Sequence, residues 1–223
     1  MLAYLVLTQL SLAIGRTGSA MKGTRPSLFR LTIQHWPGAV VFVAMAMGLL
    51  FTAPSIFLIR FLKTEGFGTI APFWTVYAAS AFAFRVGTST LSRRVGRYRL
   101  ITVGLVAQGL GMLALVPVTL WWHLMFAGAI CGFGHSLLFP SIVSLGSGSF
   151  PARYRGSGTN LIMGCFDLGA AISAPLLGSI IDLPAFGGAG FRPMFAFAGM
   201  IPLVLAAGWA WQHHGRHDAE IQG

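Results

Sequence analysis

Long apolar runs separated by short basic segments dominate this chain. Residues 38–59 form a run of 22 residues without a charged side chain, and residues 69–91 form a second run whose one charged residue is Arg85. Residues 100–150 contain no Lys, Arg, Asp or Glu over 51 positions, more than twice the ~20 residues that one membrane crossing needs. Two further apolar runs follow at 156–181 and 193–211. The pattern predicts six membrane-spanning helices.

A turn is predicted inside the longest apolar run. Pro117 and the Trp121–Trp122 pair lie near its centre. Tryptophan is enriched at membrane–water interfaces, so these residues indicate where one helix leaves the bilayer and the next enters it. Residues 100–150 are therefore expected to form two helices joined by a tight hairpin.

Composition supports a membrane protein rather than a soluble one. The chain is 55% hydrophobic and 9% charged, whereas soluble domains carry roughly 25% charged residues. Lys and Arg outnumber Asp and Glu by 15 to 5, giving a formal net charge of +10. These basic residues cluster between the apolar runs, which is typical of membrane loops and not of a nucleic-acid-binding face.

The basic residues also predict an orientation. Eleven of them fall in segments on one side of the predicted bundle, and three (Arg60, Lys63 and Arg192) fall on the other. Because cytoplasmic loops carry the excess of Lys and Arg, both ends of the bundle are expected in the cytoplasm. The predicted location is the plasma (inner) membrane, with multiple passes.

Small residues recur at helical spacing inside the predicted spans. Gly128 and Gly132 are four residues apart, as are Gly169 and Ser173. Such pairs let membrane helices approach closely. We therefore predict close helix–helix contacts at these positions.

Polar residues within the spans are the candidates for binding a substrate or an ion. Asp167 is the one acidic residue well inside a span, and it shares a helical face with Asn160 and Gly164. His135 lies deep in the preceding span. A carboxylate and an imidazole at mid-membrane are suited to proton relay or to polar substrate binding, and equally to hydrogen bonding between helices.

Arg85 has two interpretations. Its long side chain can reach the membrane interface, or it can face inward and pair with Asp167 or with an anionic substrate. We expect Asp167 to face the bundle interior or a cavity, with His135 or Arg85 as its partner.

The sequence lacks signals of an enzyme, a cofactor or a metal site. Nucleophile-elbow, zinc-protease, phosphate-loop and dinucleotide motifs are absent. Cys131 and Cys165 each lie within an apolar run without paired ligand spacing, and they are interpreted as small apolar helix residues.

Two segments carry a family resemblance. The loop after the second span contains Leu91, Arg94, Gly96 and Arg97, which resemble the loop motif G-x-L-a-D-R-x-G-R-R of the major facilitator superfamily, with Arg93 in place of its acid. Further on, the sequence resembles the family's RG…G…DLG…P…G…D run. The positions that match it are Arg155, Gly156, Gly158, Asp167, Leu168, Gly169, Pro175, Gly178 and Asp182.

The resemblance implies an all-α integral membrane protein whose six-helix bundle corresponds to helices seven to twelve of that fold, a 3+3 inverted repeat. Residues 1–35 then correspond to the end of helix six and a basic cytoplasmic linker. Residues 36–213 are the transmembrane half-domain, and 214–223 a cytoplasmic tail. Since the chain starts within an apolar helix, it is expected to be an incomplete gene product.

The function that the resemblance implies is secondary active transport of a small molecule by alternating access, either uncoupled or coupled to protons or sodium. Half a cavity needs a second copy or an N-terminal half to complete it. The alternative is a membrane-embedded interaction or scaffold protein, or a transporter fragment without function. The sequence names neither the substrate nor the direction of transport.

Overall fold

The computed structural model describes residues 28–66, 68–87, 95–186 and 190–213, without the side chains of 28, 29 and 186. The chain divides into two units, with the boundary between Gln34 and His35. In the first unit the described element is a short helix, α1 (Leu28–Gln34). All of the elements below belong to the second unit.

The described part of the second unit is helical throughout. A first long helix consists of α2 (Val40–Ala53), a π-helical segment (Pro54–Leu58) and α3 (Ile59–Glu65). It is followed by α4 (Ala71–Gly87), α5 (Arg97–Leu113), α6 (His123–Gly148), α7 (Arg155–Ile181) and α8 (Phe191–Gln212). Single 3-10 turns precede α7 (Ala152–Tyr154) and α8 (Pro184–Phe186).

Four of these helices are long and apolar enough to cross a membrane: Val40–Glu65, His123–Gly148, Ala152–Ile181 and Phe191–Gln212. Helices α4 and α5 have 17 residues each, or roughly 25 Å at 1.5 Å per residue. The predicted all-α membrane bundle, with its helices in the predicted order, is confirmed. The hairpin predicted around Pro117 and Trp121–Trp122 lies between α5 and α6.

The first helix extends further than the hydropathy pattern predicts. It continues past Ile59 to Glu65 and takes in Arg60 and Lys63. Arg, Lys and Glu are good helix formers, so the end of an apolar run marks where the helix becomes polar and not where it ends. Gly66, with φ of 75°, then ends the helix in the left-handed conformation that glycine adopts without strain.

Helix packing builds two apolar cores. Helix α2 packs on α7, α4 packs on α6, and α5 packs on both α6 and α8. One core lies toward the Arg192 end of the bundle and includes Phe61, Phe73 and Phe195, and the other lies toward the Tyr98 end and includes Ile101 and Ile142. Phe73 is the buried residue of α4, which shows that neighbouring helices cover α4 mainly on one side.

Glycines lie where helices come closest, as their spacing predicts. A Cβ on Gly128 would lie 2.5 Å from the carbonyl oxygen of Phe73, and one on Gly132 would meet the carbonyl oxygen of Tyr77. A Cβ on Gly169 would meet Met45 of α2 in the same way. The predicted close contacts at Gly128, Gly132 and Gly169 are confirmed.

Arg192 joins three elements at its end of the bundle. Its guanidinium donates hydrogen bonds to the carbonyl oxygens of Val116 (2.9 Å) and Val118 (3.2 Å), in the segment after α5. It also contacts Glu65 at 3.3 Å and lies over the ring of Phe61, 5.7 Å from its centroid. The first residues of α8 are thereby fixed to α3 and to the α5–α6 connection.

Candidate functional site

Six aromatic side chains from four helices converge near the middle of the bundle. We call this group the aromatic cluster; it consists of Phe51 of α2, Trp74 and Tyr77 of α4, His135 and Phe139 of α6, and Phe166 of α7. Phe51 connects three helices, with centroid distances of 5.6 Å to Trp74, 6.2 Å to His135 and 6.1 Å to Phe166. His135 lies 5.7 Å from both Tyr77 and Phe139.

On α6 and α7 the cluster lies at mid-helix, whereas Trp74 is the fourth residue of α4. His135 is the thirteenth of the 26 residues of α6, and Phe166 the twelfth of the 27 residues of α7. At 1.5 Å per residue, each is roughly 17 Å or more from either end of its helix. In a bilayer core about 30 Å thick, the rings of His135 and Phe166 therefore lie near the midplane.

Each ring packs partly against its neighbours and remains partly open. Phe51 is 39% exposed, and the other five side chains are of intermediate exposure. None of the three polar side chains (Trp74, Tyr77 and His135) makes a hydrogen bond to another residue that the structure describes. The open side thus presents ring surfaces together with polar ring atoms.

The first helix is irregular beside the cluster. The π-helical segment begins at Pro54, three residues after Phe51, and the Ser55 hydroxyl donates to the Phe51 carbonyl at 2.7 Å. Proline has no N–H to donate and disturbs the regular backbone ladder. Short π-helical segments within α-helices often mark functional sites.

Arg85 lies in the last turn of α4, on the exposed side of the helix. It has no hydrogen bond or ion pair within the described ranges, but its charge acts on the imidazole of His135. The ring of Phe84, the preceding residue, lies 4.6 Å from that of Phe133, so the last turn of α4 lies beside the part of α6 that carries His135. The structure thus brings two of the four predicted site residues near each other.

Asp167 and Asn160 lie on the exposed face of α7. That face has two parts: a stripe of Asn160, Gly164 and Asp167, and beside it an apolar stripe of Leu168, Ile172 and Leu176. The opposite face, which includes Gly169 and Ser173, is buried. Polar and small residues therefore occupy a part of the exposed surface separate from the large apolar ones.

The predicted pairing of Asp167 with His135 or Arg85 is not found. Within the part of the chain that the structure describes, Asp167 has no hydrogen bond or ion pair. The reason is the arrangement of the helices: α4 packs against α6, whereas α7 packs mainly against α2. Arg85 and Asp167 therefore lie on helices that do not pack closely on each other.

The loop motif is described in part. Gly96 is buried and has φ of 83°, a conformation that favours glycine, and it immediately precedes α5. Arg97 donates a hydrogen bond to the Ser144 hydroxyl of α6 at 3.1 Å. Leu91 and Arg94 lie outside the described residues. The motif's described part thus connects the start of α5 to the last turns of α6.

Both cysteines are buried and free, as interpreted from their apolar surroundings. In the ranges that the structure describes, no three His, Cys, Asp or Glu side chains converge to hold a metal ion. The arrangement offers ring surfaces, one cation and one carboxylate, which are groups suited to binding a small molecule.

Sequence reasoning did not find the aromatic cluster. Phe51, Phe139 and Phe166 lie in apolar runs in which phenylalanine is common, so their spacing carries no signal. Trp74 and Tyr77 are three residues apart and therefore share a face of α4. That pair was the one feature of the sequence that indicated an aromatic cluster.

Comparison with known proteins supplies the family. Three curated proteins of Pseudomonas aeruginosa (strains LESB58, UCBPP-PA14 and PAO1), each named an uncharacterized MFS-type transporter, are 32% identical to this chain over 133 residues. The match covers 52% of this chain and 33% of each relative, so the chain aligns with about a third of their length. The family model of the Major Facilitator Superfamily matches residues 8–174 and 74–222. This integral membrane protein therefore belongs to the Major Facilitator Superfamily, a family of transmembrane transporters.

Proposed function

We propose that this chain forms the C-terminal half of a secondary transporter that moves a small molecule by alternating access. The observation that carries the proposal is the convergence of four helices on one open, mid-membrane group of aromatic rings, flanked by Arg85 and Asp167. Transporters of this type bind substrate near the bilayer midplane, between two halves.

The exposed charges support a partner on this face. An ionised Asp at the centre of a membrane helix costs about 2.5–3.5 kcal/mol on insertion scales, and Arg a similar amount. Asp167 is the thirteenth of the 27 residues of α7 and is exposed in the isolated chain. Such a residue normally faces protein or a water-filled cavity. We infer that an N-terminal half or a second copy of this chain covers this face and completes the cavity.

Asp167 is the proposed site of coupling to a proton or a sodium ion. It has no hydrogen-bonding or ionic partner among the described residues, so its carboxylate is available to an ion or to the second half. Asn160 and Gly164 on the same stripe leave room beside it. Reversible occupation of such a carboxylate is one way in which ion binding drives conformational change.

The transport proposal is tested by solute uptake into inner-membrane vesicles that contain this chain with or without a co-expressed N-terminal half. A panel of labelled organic anions, cations and sugars covers the unknown substrate. We expect uptake when both halves are present, and Asp167→Asn should abolish it or uncouple it from the ion gradient. Asp182→Asn is the matched control, because Asp182 is exposed at the very end of α7.

Two outcomes would contradict the proposal. Unchanged coupled uptake by Asp167→Asn would reduce Asp167 to a surface residue. Absence of uptake for the whole panel with both halves present and correctly inserted would favour an interaction or scaffold role instead.

Orientation is a separate part of the proposal. We infer an inner-membrane location with both bundle ends in the cytoplasm, supported by the distribution of basic residues. Arg153 is exposed at one end of the bundle, and Lys63 is exposed at the other. In intact cells, a membrane-impermeant thiol reagent should label Lys63→Cys and leave Arg153→Cys unlabelled until the membrane is permeabilised. The reverse pattern, or labelling of both, would contradict the proposed topology.

A further inference from the structure

The aromatic cluster has the properties of a binding surface for a flat ring. Its members meet at centroid distances of 5.0–6.2 Å in tilted and edge-on geometries, and His135 and Phe139 are stacked. Aromatic groups attract one another in such offset and edge-to-face arrangements. Phe51 is 39% exposed at the centre of the group, so one more ring can join it without displacing a member from the core.

Hydrogen-bond donors border the same surface. The indole N–H of Trp74 and the phenol O–H of Tyr77 are donors, and neither is used within the described part of the chain. Both belong to α4, the helix that also carries Arg85. The N–H of Trp74 and the O–H of Tyr77 therefore suit a ligand that carries exposed acceptor oxygens.

The charge on the helix that carries Trp74 and Tyr77 is positive. Arg85 follows Phe84, whose ring lies 4.6 Å from that of Phe133 on α6, two positions before His135. Asp167 belongs instead to α7. A cation of the ligand, which aromatic rings also attract, would be repelled by Arg85. A carboxylate would instead pair with the guanidinium in a charge-assisted hydrogen bond.

We propose that the aromatic cluster and Arg85 bind an aromatic organic anion, whose ring packs on Phe51 and His135 and whose carboxylate or equivalent oxyanion meets Arg85. This inference rests on the proposed transport function and names its substrate class. Trp74 and Tyr77 lie 11 and 8 positions before Arg85 on α4, so they donate to polar substituents elsewhere on the ligand. Sugars and aliphatic solutes lack the flat surface that the cluster complements.

Equilibrium binding to the whole chain in phosphatidylcholine nanodiscs tests this directly. The probes are 1-naphthoate, neutral 1-naphthamide, 1-naphthylmethylammonium and the non-aromatic cyclohexanecarboxylate, each corrected for partition into empty nanodiscs. We expect 1-naphthoate to bind more tightly than the other three. Equal or tighter binding of the ammonium probe or of cyclohexanecarboxylate, or no binding of 1-naphthoate above empty nanodiscs, would overturn the proposal. This comparison uses the unchanged chain, so it does not depend on the folding of any variant.

Variants then assign the two contacts. Arg85→Gln should weaken 1-naphthoate binding about tenfold or more, the size expected for a lost charge-assisted hydrogen bond, and should leave 1-naphthamide unaffected. Arg85→Lys should retain most of the affinity. Arg60→Gln is the control, because Arg60 is an exposed cation on α3 at the far end of the bundle. If Arg60→Gln and Arg85→Gln weaken 1-naphthoate equally, the effect is one of net charge and the proposed contact is wrong.

A second pair of variants tests the contact between the ligand's ring and Phe51. Phe51→Leu should reduce binding of 1-naphthoate and 1-naphthamide alike by about three- to tenfold. Phe42→Leu should change neither, because Phe42 is 60% exposed on the same helix and outside the cluster. Equal effects of the two variants would contradict the assignment of the ring to the cluster.

Failure of this inference is distinguishable from failure of the transport proposal. If paired halves transport solutes but the chain does not bind 1-naphthoate, the substrate class is wrong and transport stands. If the chain binds 1-naphthoate with the expected selectivity but paired halves transport nothing, the site is present and the transport proposal is wrong.

Discussion

Replacing Gly169 by alanine is expected to separate the backbones of α2 and α7. The added Cβ would lie 2.6 Å from the carbonyl carbon of Met45 and 2.7 Å from its Cα, and closer still to the carbonyl oxygen. Carbon atoms in proteins pack at about 3.5–4.0 Å. The obstacle is helix backbone and not the end of a flexible side chain, so the two helices must move apart by roughly 1 Å, the difference between these distances.

Two opposing effects set the magnitude. Alanine is the better helix former by about 0.8–1.0 kcal/mol, whereas overpacking of a tight contact costs about 1–3 kcal/mol. Separation also strains the hydrogen bond from the Ser173 hydroxyl to the Leu49 carbonyl, now 3.3 Å, which is worth about 0.6 kcal/mol in a membrane protein. We expect Gly169→Ala to lower the free energy of unfolding by about 1–2 kcal/mol.

Gly164→Ala provides the matched control. Gly164 lies on the same helix with no atom within 4 Å of its added Cβ, so it gains helix propensity without a clash. Equilibrium unfolding of both variants and the parent in mixed detergent micelles, followed by circular dichroism, measures the difference. If Gly169→Ala is as stable as Gly164→Ala, the close α2–α7 contact does not exist and the reasoning is wrong.

Three further predictions follow from the same contacts. Gly132→Leu should destabilise the α4–α6 contact at Tyr77 by about 1–3 kcal/mol and lower the midpoint of thermal unfolding. Gly148→Leu on the same helix should not, because Gly148 has open space around it. Equal midpoints for the two variants would show that Gly132 faces lipid. Arg192→Ala should cost about 1–2 kcal/mol in detergent unfolding, mainly through the two carbonyls it leaves unpaired, since its part-exposed ion pair contributes little. Arg60→Ala, which removes an exposed cation at the same end, should have no effect, and a similar loss in both variants would point to net charge instead. Arg97→Ala should increase hydrogen exchange at the end of α6 by removing its bond to Ser144, and unchanged exchange there would mean that this bond does not hold the two elements together.

Several features were predictable because membrane insertion is governed by local sequence. A helix must satisfy its own backbone hydrogen bonds in lipid, so the length and order of apolar runs specify the helices directly. The hairpin at Trp121–Trp122 and the close contact at Gly132 follow from equally local signals, interfacial aromatics and small residues at helical spacing.

Other features depended on contacts between distant segments. Phe51, His135 and Phe166 are separated by 84 and 31 positions, and periodicity does not indicate that their rings meet. The depth of Arg85 and Asp167 was predictable from the helix rise, and depth alone suggested that they pair. Only the packing of α4 on α6 and of α7 mainly on α2 keeps the two helices that carry them from packing closely on each other.

The sequence by itself determined that this protein is a membrane bundle of apolar helices with polar residues at mid-span, because the transfer of each side chain into lipid depends on that side chain and its few neighbours. Only the tertiary structure decided which faces of those helices meet. The apolar faces all favour lipid and protein about equally, so hydrophobicity does not select partners within a membrane. The helices select their partners by the shape of their surfaces, through the backbone contacts at Gly132 and Gly169. The resulting packing leaves the aromatic cluster open beside Arg85.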